Sequence, residues 1–205
     1  MITIVDYKIG NIGSIINMFK KIGIEAQLGS SQEDIIKAQK LLLPGVGSFD
    51  VGMHNLKNLG LMDILNEKVL IQKTPILGIC LGMQLLMSSS EEGEAKGFNW
   101  IEGEVKKFSF SEQQNLKIPH MGWNEVVPAK QSNLFLGMEE ESRFYFVHSY
   151  FVECRNNEDV LARTSFGNTF TSVVQKDNVV GVQFHPEKSH RYGMMLLKNF
   201  DSLSC

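Results

Sequence analysis

Cysteine is scarce in this 205-residue chain: Cys80, Cys154 and Cys205 are all it has. An odd number, with no C-x-x-C pair and no His/Cys grouping at zinc spacing, makes neither a disulfide framework nor a structural metal the expectation. Long apolar runs are missing too, and nothing approaches the roughly 20 residues of a membrane span. The start, MITIVDYKIGN, lacks the basic n-region of a secretory signal and meets its first acid at Asp6, so a cytoplasmic location is expected. Charge of one sign is absent as well. With 20 basic and 23 acidic residues and a formal net charge of -3, there is no general electrostatic reason to bind nucleic acid or an anionic membrane. Only 5 prolines, 21% charged and 43% hydrophobic residues exclude a disordered chain, and this length suffices for one large core. A single domain, 1–205, is expected. Nucleotide binding is poorly supported: no G-x-x-x-x-G-K-[ST] occurs, and the glycine-rich turn Lys8–Gly13 has Lys8 where a dinucleotide fingerprint needs its first glycine.

What is present alternates between strand and helix signals, without repeats. The β-branched run Ile2–Val5 is followed by glycines around Asn11, then by Ile15, Ile16, Phe19 and Ile22 at helical spacing, with Gly23 placed to stop the helix. The pattern recurs in KLLLPGVGSF followed by the amphipathic GMHNLKNLGLMDILNEKVL, and again in TPILGIC followed by LGMQLLMS. Three such βα units with non-alternating apolar strands predict an α/β fold, an open and mostly parallel twisted sheet flanked by helices. After about residue 98 the texture changes to strands between polar turns: WIEGEVKKFSF, NEVVPA, RFYFVHSYFVEC, VLARTSF and FTSVVQKDNVVGVQFH. These predict an antiparallel or mixed extension of the sheet, and GMMLLKNFDSL a closing helix.

This organisation puts Cys80 at the carboxyl end of a central parallel strand, where open α/β sheets present ligands. In Gly78-Ile79-Cys80-Leu81-Gly82 the small flanking residues match a nucleophile elbow, a sharp strand-to-helix turn that thrusts the middle side chain outward. A helix amino terminus there favours the thiolate. Alone, the pattern fits a small buried hydrophobe equally well, as most free cysteines are. A nucleophile needs a base, and VVGVQFHPEKS offers one. Pro186 keeps His185 extended, so Glu187, two residues on, lies on the same side and can orient the imidazole. His54 and His190, in polar segments, are expected at the surface. The loop Pro44–Gly47 (PGVG) follows a strand and, with the Leu81 N–H, can supply donors to an oxyanion, although an ordinary turn explains it as well. Gln84 lies about one helical turn after Cys80 and can face the same pocket, or simply solvent.

With PGVGSF, GICLGMQLL and QFHPEKS in this order, the chain resembles the class I glutamine amidotransferases. Through IVDY with GN following, SSEEG, PHMGWN and YFVHSY, it resembles in particular the glutaminase subunits of imidazole glycerol phosphate synthase from histidine biosynthesis, from Ile4 to Phe200. The resemblance implies that Cys80 is the nucleophile, His185 the base and then acid, and Glu187 its orienting carboxylate. It implies hydrolysis of glutamine through a γ-glutamyl thioester, with an oxyanion hole from Val46, Gly47 and Leu81 and the glutamine held by Gly47, Gln84, His148, Ser149 and Tyr150. It also implies a heterodimer with a (β/α)8-barrel cyclase that receives the ammonia, docked on Asn11, His120, Met121, Trp123, Asn124, Tyr145 and Lys188. No metal or organic cofactor is implied. In the family the PGVG peptide is held in the wrong orientation until the partner binds its ligand, so the free subunit is expected to lose a factor of about 100 to 1000 in rate.

One position departs from the family pattern: Lys8 stands where relatives usually carry glycine. Cys154 is expected to be structural and Cys205 incidental. Three other functions fit parts of the chain. A paralogous subunit would feed ammonia to a sugar nucleotide for surface polysaccharide. A catalytically silent scaffold would leave Cys80, His185 and Glu187 without a reason, and a cysteine peptidase would leave HPE, Gln84 and PHMGWN without one.

Overall fold

Ile2–Val5 forms β1, buried at every position in a computed structural model that describes residues 1–111 and 116–203; Cys205 lies outside the described residues. β1 runs parallel between β2 (Ala26–Gly29) and β3 (Lys40–Leu43). β4 (Ile76–Ile79) pairs parallel with β3 on one side and with β13 (Val179–Val182) on the other. A strand flanked on both edges and covered on both faces has no solvent side, which is why these segments carry no polar alternation. Alternate residues still choose opposite cores. Leu41, Leu43 and Ile76 pack on one face with Phe49, Leu56 and Leu85. Leu42, Leu77 and Ile79 pack on the other with Ile15, Phe19, Leu197 and Phe200.

The first helix, α1 (Ile12–Ile22), starts at Asn11, whose side chain accepts from the Ser14 N–H, and stops at Gly23 in the left-handed conformation (φ 74°). A second βα unit, β2 with α2 (Gln32–Lys37), was not legible in the apolar pattern, so four such units precede residue 98 rather than three. β2 is the edge strand of the sheet and has only one of its four residues buried, so it lacks a hydrophobic run. Its helix carries a capping box, Ser31 with Asp34, which is the signal that marks it. The long amphipathic stretch is also broken. α3 (Phe49–Asn58) ends before Gly60, which turns at φ 66°, and α4 (Met62–Asn66) runs into a π-helical turn, Glu67–Ile71.

Beyond β13 the sheet becomes antiparallel and mixed. β12 (Asn168–Lys176) pairs with β13 and then with β10 (Tyr150–Cys154), followed by β6 (Gly103–Lys107) and the short β5 (Ser89–Ser90). β11 (Val160–Phe166) lies on β12, and β8 (Val127–Pro128) on β11. RFYFVHSYFVEC divides at Ser149: its first half, β9 (Arg143–His148), joins β7 (His120–Glu125) in a separate two-stranded ribbon. α5 (Leu81–Leu85) follows β4, and α6 (His190–Ser202) closes the fold. Among the described residues no helix is long and apolar enough to cross a membrane.

Candidate active site

Cys80 joins β4 to α5 with φ 53° and ψ -109°, a conformation that non-glycine residues rarely adopt and that persists only where the surroundings enforce it. The enforcement is visible. Its N–H donates to the Val182 carbonyl at 2.8 Å, and the turn is tight enough that a Cβ on Gly82 would lie 1.8 Å from the Leu43 carbonyl oxygen. A Cβ on Gly78 would meet the Gly82 backbone at 2.7 Å. The glycines of GICLG are therefore steric requirements of the elbow. The helix behind the cysteine is only five residues long, so its dipole is a smaller aid than the sequence suggested.

His185 and Glu187 meet as expected, by a different route. His185 is extended (φ -103°, ψ 97°), but Pro186–Lys188 forms a 3-10 turn with proline at its start, and the turn folds the Glu187 carboxylate back onto the ring. Oε1 accepts from Nδ1 at 2.8 Å, with both side chains almost wholly buried. The other ring nitrogen, Nε2, is buried and makes no hydrogen bond among the described residues. Burial alone would lower the imidazole pKa, but the Cys80 sulfur beside the ring and the Glu187 carboxylate bonded to Nδ1 outweigh it and push the value up to about 10. A ring held between an acid and a thiol is set up to carry the thiol proton.

Cys80 opens on a cavity of about 340 Å³ lined by Val46, Gly47, Leu81, Gln84, Glu92, His148, Ser149 and Tyr150, among others. All the residues expected to hold substrate thus line the same cavity as the sulfur. Gln84 is buried, not solvent-facing, and its Nε2 donates to the Tyr150 carbonyl at 3.2 Å. The loop above the sulfur has Gly47 at φ 115°, and its Gly45 carbonyl accepts the Leu81 N–H at 3.4 Å, so one expected oxyanion donor is already engaged. Tyr7, fully buried, anchors the base of that loop by donating its hydroxyl to the Pro44 carbonyl at 2.5 Å. Glu92 was missed in the sequence. Its Oε2 accepts the Phe49 N–H at 2.8 Å, and among the described residues it is the one carboxylate lining the cavity; SSEEG was the signal available.

Residues 3–202 match the family Glutamine amidotransferase class-I. The chain belongs to the class I glutamine amidotransferases. This amidotransferase is 57% identical over 200 residues to imidazole glycerol phosphate synthase subunit HisH 2 of Methanococcus maripaludis, covering 98% of each chain. It is 48% identical over 203 residues to the subunit of the same name from Pseudomonas aeruginosa, covering 99% of this chain and 100% of that one. A solved glutamine amidotransferase structure superimposes with a TM-score of 0.76 at 18% identity, over 98% of each chain, which bears on the fold alone.

The amidotransferase sorts its expected docking residues by strand face. In β7, Met121 and Trp123 point outward, 62% and 45% exposed, so Trp123 is not a core residue. His120 points inward at 3% exposure, which corrects its expected place at an interface: it lies between Phe146 and Phe166, ring centroids at 4.7 and 4.2 Å. There it joins a relay. The His148 Nδ1 donates to the Tyr150 carbonyl at 2.7 Å, so its Nε2 accepts from His120 Nδ1 at 2.9 Å, and His120 Nε2 accepts from Asn124 Nδ2 at 3.1 Å. Burial lowers His120 to about 4; burial, together with neighbouring His120 and His185, lowers His148 to about 3 against the pull of the Tyr150 carbonyl. Asn11 caps α1 at the surface, and exposed Lys188 sits over the Tyr145 ring at 5.6 Å. His190, exposed as expected, stacks on Trp123 with an interplanar angle of 3°, a contact that sequence reasoning did not foresee. Lys8 adopts φ 67°, a left-handed conformation that favours glycine; its N–H and Nζ are both held by Asp6, at 3.0 and 3.2 Å.

Proposed function

We propose that residues 1–205 form one glutaminase domain, the ammonia-producing subunit of an imidazole glycerol phosphate synthase acting in histidine biosynthesis. The observation that carries this is Cys80 in its enforced elbow, between the cavity and the buried His185–Glu187 pair, in a chain that aligns end to end with subunits of that synthase.

Cys80 Sγ gives its proton to His185 Nε2 and attacks the carboxamide carbon of glutamine. The tetrahedral oxyanion is met by N–H groups of Leu81 and the Val46–Gly47 loop once that loop has turned. Its collapse breaks the C–N bond, and His185 returns the proton to the departing ammonia. Neutral His185 then takes a proton from water, whose oxygen attacks the thioester; the C–S bond breaks, glutamate leaves and the thiol is restored. Glu187 holds the ring tautomer throughout. Gln84 and the 148–150 backbone hold the amino-acid end of the substrate, and Glu92 faces its ammonium group.

The partner is a (β/α)8-barrel cyclase subunit, docked where Val46 (44% exposed), on the cavity lining, and Met121 and Trp123, on the outer face of β7, present apolar surface. Covering the cavity mouth lets ammonia pass without meeting bulk water. The test is glutamate release from glutamine by the chain alone and with such a barrel, with and without the barrel's ribonucleotide ligand. Stimulation of about 100-fold or more that disappears in Cys80→Ala is expected. Labelling of Cys80 by a glutamine-analogue electrophile without any stimulation would refute the histidine-pathway partner and favour the sugar-nucleotide acceptor.

A further inference from the structure

Gln183 is 0% exposed, two residues before His185, and the chemistry above makes no use of it. Its backbone N–H is tied to the Ser172 carbonyl at 2.9 Å. Its side-chain polarity follows from its neighbours. The Tyr150 carbonyl can only accept, so the Gln84 atom 3.2 Å from it is the amino nitrogen. That nitrogen also lies 3.1 Å from the Gln183 amide, so the Gln183 atom facing it is the oxygen. The amino group of Gln183 is thereby turned onto Cys80 Sγ, at 3.7 Å. A flipped amide would set two donors against each other and aim an oxygen at the sulfur.

We infer that Gln183 is a further catalytic residue, whose amino group donates to Cys80 Sγ and stabilises the thiolate, while Gln84 and the Tyr150 carbonyl lock that amide in its orientation. This rests on Cys80 being the nucleophile. A donor to sulfur matters at two moments: before attack, when the anion must exist beside a buried imidazole, and at hydrolysis of the thioester, when the electron pair of the breaking C–S bond returns to sulfur. The lock runs through the substrate wall, so a glutamine seated against Gln84 and Tyr150 bears on the same chain that holds the nucleophile. The titratable groups facing the sulfur are His185, Tyr7, whose hydroxyl is committed to the Pro44 carbonyl, and, around the cavity, His148 and Glu92. Gln183 is the neutral donor beside them.

The test is the pH dependence of Cys80 alkylation by iodoacetamide in the full chain, read by mass spectrometry on the Cys80 peptide so that Cys154 and Cys205 do not contribute. Gln183→Glu keeps the size and the acceptor for Gln84 but presents oxygen to sulfur; Gln183→Met removes the donor. The Met variant is expected to move the profile midpoint up by about one pH unit, roughly a tenfold loss of rate below the midpoint, with the high-pH plateau unchanged. The Glu variant moves it further. Profiles superimposable on wild type in the folded variants overturn the inference, since a merely structural amide would leave them in place. Should neither variant fold, the wild-type side-chain NH2 resonances of Gln183 decide: they must shift as Cys80 ionises and lose that response in Cys80→Ala, and indifference to both refutes the contact. If the profile moves with Gln183 while wild type releases no glutamate from glutamine even with its barrel, the hydrogen bond stands and the glutaminase function fails.

Discussion

Acid is expected to destabilise this protein through His120 and His148, at a pH where its carboxylates are still ionised. Both rings are buried and neutral, with pKa values lowered to about 4 and about 3 from an ordinary 6.5. The unfolded chain therefore takes up protons below pH 6.5 that the folded one refuses, and stability falls as pH falls. Each ring costs about 1.4 kcal/mol per pH unit in that window, hence about 2 kcal/mol apiece by pH 5. Against a typical domain stability of about 5–15 kcal/mol, the pair is decisive. His185 does not blur the result. Its value is raised, so its contribution is complete below 6.5 and is lost only as pH rises toward about 10. Asp34 and Asp50, both held below 3.8, retain theirs until the pH drops under that value, and Asp159, raised by burial, opposes the trend slightly. The assay is urea unfolding at pH 7, 6, 5.5 and 5, for wild type and His120→Phe. Phenylalanine suits the aromatic cage of Phe146 and Phe166 but leaves His148 Nε2 without its donor, a loss of about 1–3 kcal/mol at every pH. The slope of stability against pH should halve in the variant, from about 2.7 to about 1.4 kcal/mol per unit. A flat profile between pH 6.5 and 5, or an unchanged slope in His120→Phe, would refute the relay as drawn.

Glu187→Gln replaces a charge-assisted hydrogen bond to His185 with a neutral one, a difference of about 1.5 kcal/mol. Acylation of Cys80 by a glutamine-analogue diazoketone should slow about tenfold at neutral pH, and an unchanged rate would remove Glu187 from the triad. Gly82→Ala places a methyl 1.8 Å from the Leu43 carbonyl oxygen, where only backbone can yield. It should cost at least about 3 kcal/mol, read as a lowered urea midpoint; a wild-type midpoint would show the elbow to be less tightly packed than it is drawn.

These perturbations share a physical theme. The amidotransferase keeps a strained cysteine, a buried ion pair and two neutral histidines within one region, each unfavourable by itself, and holds them by close backbone packing. Backbone strain and buried polar groups persist only where the surrounding contacts over-determine them. Here those contacts are the parallel strands on either side of β4 and the aromatic cage behind the cavity.

By itself the sequence determined what is encoded within a few residues of chain: the strands at β1, β3, β4 and β13, the stop of α1 at Gly23, the elbow at Cys80 and the pairing of His185 with Glu187. Periodicity, a stop glycine or an H-P-E spacing expresses a local preference, and in these places the global fold agrees with it. The tertiary structure decided what depends on partners distant in the chain. β2 was silent because an edge strand needs no apolar run. The two fates of PHMGWN, with His120 inward and Trp123 outward, follow from opposite faces of a strand whose existence depends on its register with β9. Gln84 could have faced solvent from its spacing alone; it faces Gln183 and Tyr150 because α5 packs against strands encoded some seventy to a hundred residues later. Buried polar atoms must find partners, and which partners are within reach is a property of the folded chain.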